Sequence, residues 1–239
     1  MHPIDKTAIS DQVFQQLQSQ ILSRRLPAGH ELPSERQLSV QLGVNRGAIR
    51  EAIKRLQQAR LVKVRHGGAT VVEEFAEQGG LELLPSLVVN DRGQLNMELA
   101  KGMVLLRKTL APLVAGQAAA HQGPVLADAL HPILQAMQAT TDLPTLQQLA
   151  FDYWSAVVAH SGNVVFRLAF NSMNETYRAV WGLMTHLMQD EFRDVGTLAL
   201  LAEAFRAGEV RRCEVLTRQH VELGSRALQN TLNTLSGLS

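Results

Sequence analysis

A single cysteine, Cys213, serves the whole chain, so no internal disulfide can form and a reducing compartment is expected. One small thiol in a helical stretch is expected to pack rather than to do redox work. No apolar run approaches the roughly twenty residues that a membrane span needs, and the opening MHPIDKTAISDQ lacks the basic-then-apolar pattern of a secretion signal. The expectation is a soluble, cytoplasmic protein with no membrane partner. Also missing are a Gly-rich phosphate loop, a nucleophile elbow, an HExxH pair and any paired-carboxylate arrangement that stands out. These absences weigh against an enzyme. There is no internal repeat, and from Gln94 onwards there is no strand alternation.

Net charge is nearly absent too, at +1 over the chain, but it is unevenly spread. Up to Phe75, eleven Lys and Arg face seven Asp and Glu, a surplus of four positive charges; the remainder carries a deficit of three. A basic head on a mildly acidic body suits phosphate contact by the head alone, with affinity that falls as salt rises. With 46% hydrophobic residues there is material for more than one core. Two domains are expected, residues 1–75 and 94–239, joined by a connector over 76–93.

What is present centres on residues 32–56, LPSERQLSVQLGVNRGAIREAIKRL. Ser34 is placed to cap a helix, and Glu31 and Glu35 bring negative charge to its N-terminal dipole. Leu38, Val40 and Leu42 lead to Gly43, whose tolerance of positive φ lets that helix stop sharply. Asn45 then caps a second helix. On it Ile49, Ile53 and Leu56 form an apolar stripe, while Arg46, Arg50 and Lys54 recur four apart on another face.

Any soluble helix has a charged side; the neighbours set this one apart. A stretch over 7–26 with Val13, Leu17, Ile21 and Leu22 at helical spacing precedes the pair and ends in the breaker cluster 24–29, RRLPAG. After the pair, LVKVRHGGATVVEEF alternates like two strands joined at a Gly pair. Helix, helix, helix, hairpin is the order of a winged helix-turn-helix, in which the second helix of the pair enters the major groove with its N-terminal residues on base edges. Here those residues are Asn45, Arg46, Gly47 and Arg50.

These motifs make the chain resemble the GntR-type bacterial transcription regulators of the FadR subfamily. The likeness runs through PSER, LGVNRGAIREAIKRL and the HGG wing, and continues through LLRKTLAPLVAGQAAA, an SGN turn and AFRAGEVRRCEVLTRQH. The resemblance implies a homodimer and DNA contacts from Arg36, Arg46, Arg50, His66 and Gly67; guanidinium groups fork readily onto guanine or phosphate. Relatives of the fatty-acid regulator carry hydroxyl residues where Gly47 and Ala48 stand, so a different operator is expected here.

Beyond the wing, EEFAEQGGLELLPSLVVNDRG has the composition of a connector, and its LELLPSLVV is expected to form a short helix packed on one domain or the other. Five stretches of helical periodicity follow, over 95–120, 124–139, 143–160, 163–188 and 191–232, the last splitting at Gly208. Pro112 and Pro132 lie inside helical pattern and are expected to kink or restart their helices. The expected fold class is mainly α: an N-terminal winged helix-turn-helix with a small β-hairpin, and a C-terminal all-α antiparallel helical bundle with a pocket possible between its helices.

Many effector domains in this subfamily hold a divalent metal through an Asp, a His one turn later and two further His. The corresponding positions are Ala150, Trp154, Leu198 and His220, so three of the four ligands are gone and no metal cofactor is expected. A metal-free cavity containing Trp154 suits an effector with substantial apolar area, such as an acyl thioester, over a small chelated hydroxy acid. The resemblance also matches Arg107 to an Arg placed to meet a carboxylate or phosphate, and Tyr177 to an aromatic of the acyl-binding member. The candidate effector residues are therefore Arg107, Trp154, Tyr177 and His220. The plainer alternative is a surface Arg and a core-edge Tyr with its hydroxyl in water. Gln219 replaces a small Gly of the acyl-binding member, and its bulk is expected to narrow the approach to His220.

Three functions remain in play. The first is a ligand-responsive homodimeric regulator of double-stranded DNA. The second is a constitutive regulator whose pocket has filled with side chains, and the third an all-α enzyme or binding protein with a vestigial DNA head.

Overall fold

The computed structural model describes residues 8–65, 68–89 and 93–236. The chain divides into two compact units, Met1–Gln94 and Leu95–Ser239.

The first unit runs α1 (Ala8–Leu22), β1 (Glu31–Leu32), α2 (Glu35–Leu42), α3 (Arg46–Gln58), β2 (Val62–Val64) and β3 (Thr70–Val72). Its core joins Val13, Leu17 and Ile21 of α1 to Ile49, Ala52, Ile53 and Leu56 of α3, with Leu32, Leu38, Leu61, Val62 and Val72 around them. The apolar stripe of α3 is thus buried, and burying it fixes which side of the helix is left outside. Ser34 and Gln37 form a capping box: Gln37 N donates to Ser34 Oγ at 3.3 Å, and Ser34 N donates to Gln37 Oε1 at 2.9 Å. Gly43 ends α2 at φ 66° and ψ 27°, in the left-handed region. Val44 N returns to Ser39 O at 3.1 Å and Ser39 Oγ donates to Val44 O at 2.6 Å, which locks the turn.

The sheet has three strands, not two. β3 lies between β1 and β2 with both pairings antiparallel, Leu32 opposite Thr70 and Val62 opposite Val72. At two residues β1 is too short for alternation to reveal it. The piece LELLPSLVV follows a four-residue helix α4 (Phe75–Gln78) and folds as a 3-10 turn (Leu81–Leu83) and a short helix α5 (Leu84–Leu87). It packs on the N-terminal core, where Leu83 is buried and Leu87 lies against it.

The second unit is all helix: α6 (Met97–Gln138), α7 (Leu143–His160), α8 (Val164–Ala179), α9 (Trp181–Leu187), α10 (Gln189–Arg193), α11 (Val195–Arg206) and α12 (Val210–Ser236). α6 packs on α7, α11 and α12, around a core that includes Ala115, Leu126, Leu130, Tyr153, Val157, Leu198, Leu201 and Phe205. Within α6 only Gln122 leaves helical dihedrals, at φ −144° and ψ 35°, just before Gly123-Pro124. A Cβ on Gly123 would lie 2.2 Å from Phe205 O, so the glycine lets the end of α11 approach the α6 backbone. At Pro112 and Pro132 the dihedrals stay helical. Neither proline restarts the helix as expected; each removes one intrahelical bond and the packed helix runs on.

The stretch 163–188 breaks at Val180 and ends at Met188, close to the expected boundary, and the stretch 191–232 breaks at Asp194. Neither the break at Val180 nor that at Asp194 has Gly or Pro, so composition gave no sign of them. Asp194 then caps α11, accepting from Thr197 N at 3.3 Å, and Gly208 at φ 65° separates α11 from α12 as expected.

Candidate DNA-contact face and effector centre

The buried stripe of α3 leaves Asn45, Arg46, Gly47 and Arg50 exposed along its N-terminal edge, and Arg36 is exposed on α2. Asn45 caps α3, its Oδ1 accepting from Ala48 N at 2.9 Å. A Cβ on Gly47 would lie 3.1 Å from that Oδ1, so the small residue leaves the cap undisturbed. Arg36 and Arg46 have no ion-pair partner among the described residues. Arg50 does: it reaches Glu35 through Nη2 at 2.9 Å and Nε at 3.2 Å. The hydrogen bond from Arg50 holds the Glu35 carboxyl below the usual range. Sequence reasoning treated Glu35 only as a dipole partner of α2 and missed this contact. Of the expected wing contacts, His66 and Gly67 lie outside the described residues.

In the second unit Arg107, Tyr177 and His220 gather around a residue the sequence did not single out, Glu191 of α10, with Trp154 beside His220. Arg107 grips both Glu191 oxygens, Nη1 at 2.9 Å and Nη2 on the other. The Glu191 side chain is 2% exposed and that of Arg107 25%. Glu191 Oε1 lies 3.8 Å from His220 Nε2. His220 is itself 1% exposed, with Nδ1 at 3.0 Å from Asp194 Oδ2. An ionised carboxylate only accepts, so Nδ1 carries the proton. Burial works against the Asp194 charge, but hydrogen bonds from His220 and Thr197 outweigh it and hold its pKa below the ordinary value. The rings of Trp154 and His220 are 6.0 Å apart.

Tyr177 is anchored rather than solvated: its hydroxyl accepts from Gln147 Nε2 at 3.1 Å. Burial pushes its pKa up to about 12, and it stays a neutral phenol. Gln147 itself is 1% exposed, so a buried polar layer of Gln147, Tyr177 and Thr185 lies among α7, α8 and α9. Cys213 is fully buried, and burial raises its thiol to about 12, so it is protonated and unreactive.

The donor set does not fit a metal at the positions the resemblance pointed to. Ala150 and Leu198 are buried side chains without ligand atoms, an indole N–H is not a ligand, and His220 gives one proton to Asp194. Among the described residues no group of three or more His, Cys, Asp and Glu is arranged to hold an ion. Gln219 does not narrow the approach to His220 as expected, because the two side chains leave α12 in different directions: His220 inward, Gln219 outward. Gln219 lines an open groove of about 480 Å³ with Val215, Arg218, Glu222, Leu223 and Arg226.

A buried three-helix core with a three-stranded wing, an exposed basic second helix and a separate helical unit define a DNA-binding regulator of the winged-helix class. The model of bacterial regulatory proteins of the gntR family matches residues 9–72, and that of the FCD domain matches residues 103–223. The HTH-type transcriptional regulator Mce2R of Mycobacterium tuberculosis is 32% identical over 232 residues, 97% of this chain and 96% of that protein. The fatty acid metabolism regulator protein of Pectobacterium carotovorum is 28% identical over 157 residues, 66% of this chain and 64% of that one. Lar, which controls expression of the Listeria monocytogenes agr system, shares the fold with a TM-score of 0.55 at 12% identity, over 96% of this chain and 99% of that chain. The chain belongs to the gntR family of bacterial regulatory proteins and carries the FCD domain as its second unit. It is a transcription regulator and not an enzyme. Among the described residues no helix is long and apolar enough to cross a membrane.

Proposed function

We propose that this regulator binds a pseudo-palindromic operator as a homodimer and that a small, largely apolar effector in the second unit, taken up without a resident metal, modulates its hold on DNA. The observation that carries the DNA reading is the α3 edge, where Asn45, Arg46, Gly47 and Arg50 stand exposed on a helix whose opposite stripe is buried. One such helix reads few base pairs, and two heads related by a two-fold axis double the sequence read. The contacts proposed are from Arg36, Arg46 and Arg50, with Asn45 and Gly47 at the helix start and His66 and Gly67 at the wing tip. Relatives named as fatty acid metabolism regulators support an acyl-type effector. So does the aromatic lining of the effector centre, where Trp154 lies beside His220 and Tyr177 beside Trp181.

A second reading, a regulator that senses nothing, is favoured by the Arg107–Glu191 pair, which gives the candidate ligand cation an internal partner. One experiment separates the two. Duplexes selected by the full chain from a random pool are footprinted with and without medium-chain acyl thioesters, and the complex is weighed by native mass spectrometry. The expected result is a dimer on two half-sites about one helical turn apart, released by at least one acyl probe. A monomer on a single half-site overturns the dimer, and binding that no acyl probe changes overturns the acyl effector.

A further inference from the structure

Glu191 is a buried acid held by Arg107, the one arginine of the candidate effector centre. Both oxygens of Glu191 are taken by Arg107, and the carboxylate is nearly inaccessible while the Arg107 side chain as a whole keeps a quarter of its surface. From within, His220 Nε2 lies 3.8 Å from Oε1. Position 224, one turn beyond His220 on α12, is a glycine at which a Cβ would lie 2.3 Å from Glu191 Oε2. α12 thus leaves a notch where this carboxylate sits.

We propose that Glu191 is the specificity-determining residue of the effector centre. It fills the carboxylate seat of Arg107 from inside, so that the centre takes a neutral ligand with a hydrogen-bonding head (ester, thioester, amide or alcohol) and rejects a free carboxylate. The ligand class rests on the ligand-responsive reading above; the assignment of the seat does not.

The charges decide against an anion. Arg107 is matched by Glu191, and Asp194 adds a further negative charge at His220 Nδ1. Arg107 is held by Glu191 and His220 by Asp194, so no cation of the group is left over, and a second carboxylate would be buried without a counter-charge. An external acid would also have to displace a tethered one that is always present at its partner. A neutral head meets different terms. Trp154 Nε1, Thr217 Oγ1 and His220 Nε2 are buried without a hydrogen-bond partner among the described residues, and Thr217 lies one turn before His220 on α12. A carbonyl oxygen can accept from the two donors, and a hydroxyl can in addition donate to the His220 acceptor, so each group met makes such a ligand more favourable.

The test uses the full chain with decan-1-ol, methyl decanoate and decanoate at neutral pH, and reads binding by calorimetry. The wild type is expected to prefer the neutral probes by about tenfold or more, the equivalent of one charge-assisted hydrogen bond. Glu191→Gln should gain about tenfold for decanoate on the same scale, and adding Arg107→Met should abolish that gain. As a second measurement, acetate replaces the atoms removed in Glu191→Ala. It should raise the melting temperature of that variant, but not of the wild type or of the variant that also lacks Arg107. Equal binding of decanoate and decan-1-ol by the wild type overturns the proposal, as does a decanoate gain that survives without Arg107, or no acetate rescue. If acetate rescues through Arg107 while the wild type binds no probe, the seat assignment stands and the ligand-responsive reading falls.

Discussion

Glu35→Gln is expected to tighten DNA binding, because Glu35 holds the Arg50 guanidinium that is proposed above to contact DNA. The two side chains are 59% (Arg50) and 36% (Glu35) exposed, so solvent screens their attraction. An exposed pair of this kind contributes little, and that contact is lost when Arg50 turns to a base or phosphate. Removing the acid therefore raises affinity by a small factor, at most about fivefold. Relief of repulsion between Glu35 and the DNA phosphates acts in the same direction. Arg50→Ala runs the other way. It costs about 1–3 kcal/mol on the preferred duplex where the fork meets a base, and flattens the salt dependence by about 0.9 in slope where it meets a phosphate. Fluorescence anisotropy with a selected duplex and a scrambled one, at several salt concentrations, measures both variants and the double mutant. With Arg50 gone, Glu35→Gln retains only its long-range part, so the cycle isolates the contact. Equal or weaker binding by Glu35→Gln, or an undiminished gain in the absence of Arg50, refutes the reasoning.

Gly43→Ala forces a side chain into the left-handed region and is expected to cost the first unit about 1–2 kcal/mol, read from the denaturant midpoint; an unchanged midpoint would mean the turn is not under that constraint. In the second unit, Gly224→Ala pushes a methyl group onto a carboxylate already pinned by Arg107, and a loss of about 1–3 kcal/mol is expected; pairing it with Glu191→Ala should recover most of that loss. For acid stability the folded pKa of Asp194 lies below its unfolded value, so its contribution is full above the unfolded value of about 3.9 and disappears as pH falls through the lower folded value. Asp194→Asn keeps an N-cap but has no charge to lose, so its stability should fall less steeply below about pH 4 than that of the wild type. Parallel acid limbs in the two proteins would remove Asp194 from the account.

Legibility differed between the two units for a physical reason. In the first, the informative features are local: Ser34 and Asn45 cap the helices they precede, Gly43 ends one, and Ile49, Ile53 and Leu56 repeat at the helix period. Such signals span a turn or two of helix and can be read along the chain. The Ser34–Gln37 capping box was just as local, as a Ser followed three residues later by Gln, and could have been read the same way. β1 could not, because a two-residue strand exists only through its pairing with β3. In the second unit, breaks at Gly208 and Gly123-Pro124 and the boundary near Met188 were visible, whereas those at Val180 and Asp194 have neither Gly nor Pro and follow from how α9, α10 and α11 pack.

The sequence by itself determined the class of protein: three helices and a hairpin in winged-helix order, a basic edge on the second helix of the pair, and a helical body behind them. Each of these depends on residue type and short-range spacing. The tertiary structure alone decided the partners of the cations. Arg50 meets Glu35 fifteen residues away, and Arg107 meets Glu191 at a separation of 84. No period or motif records such pairs, because they arise only when helices distant in the chain are packed together. In the second unit that packing also buried an acid beside the arginine that the sequence had set aside for a ligand.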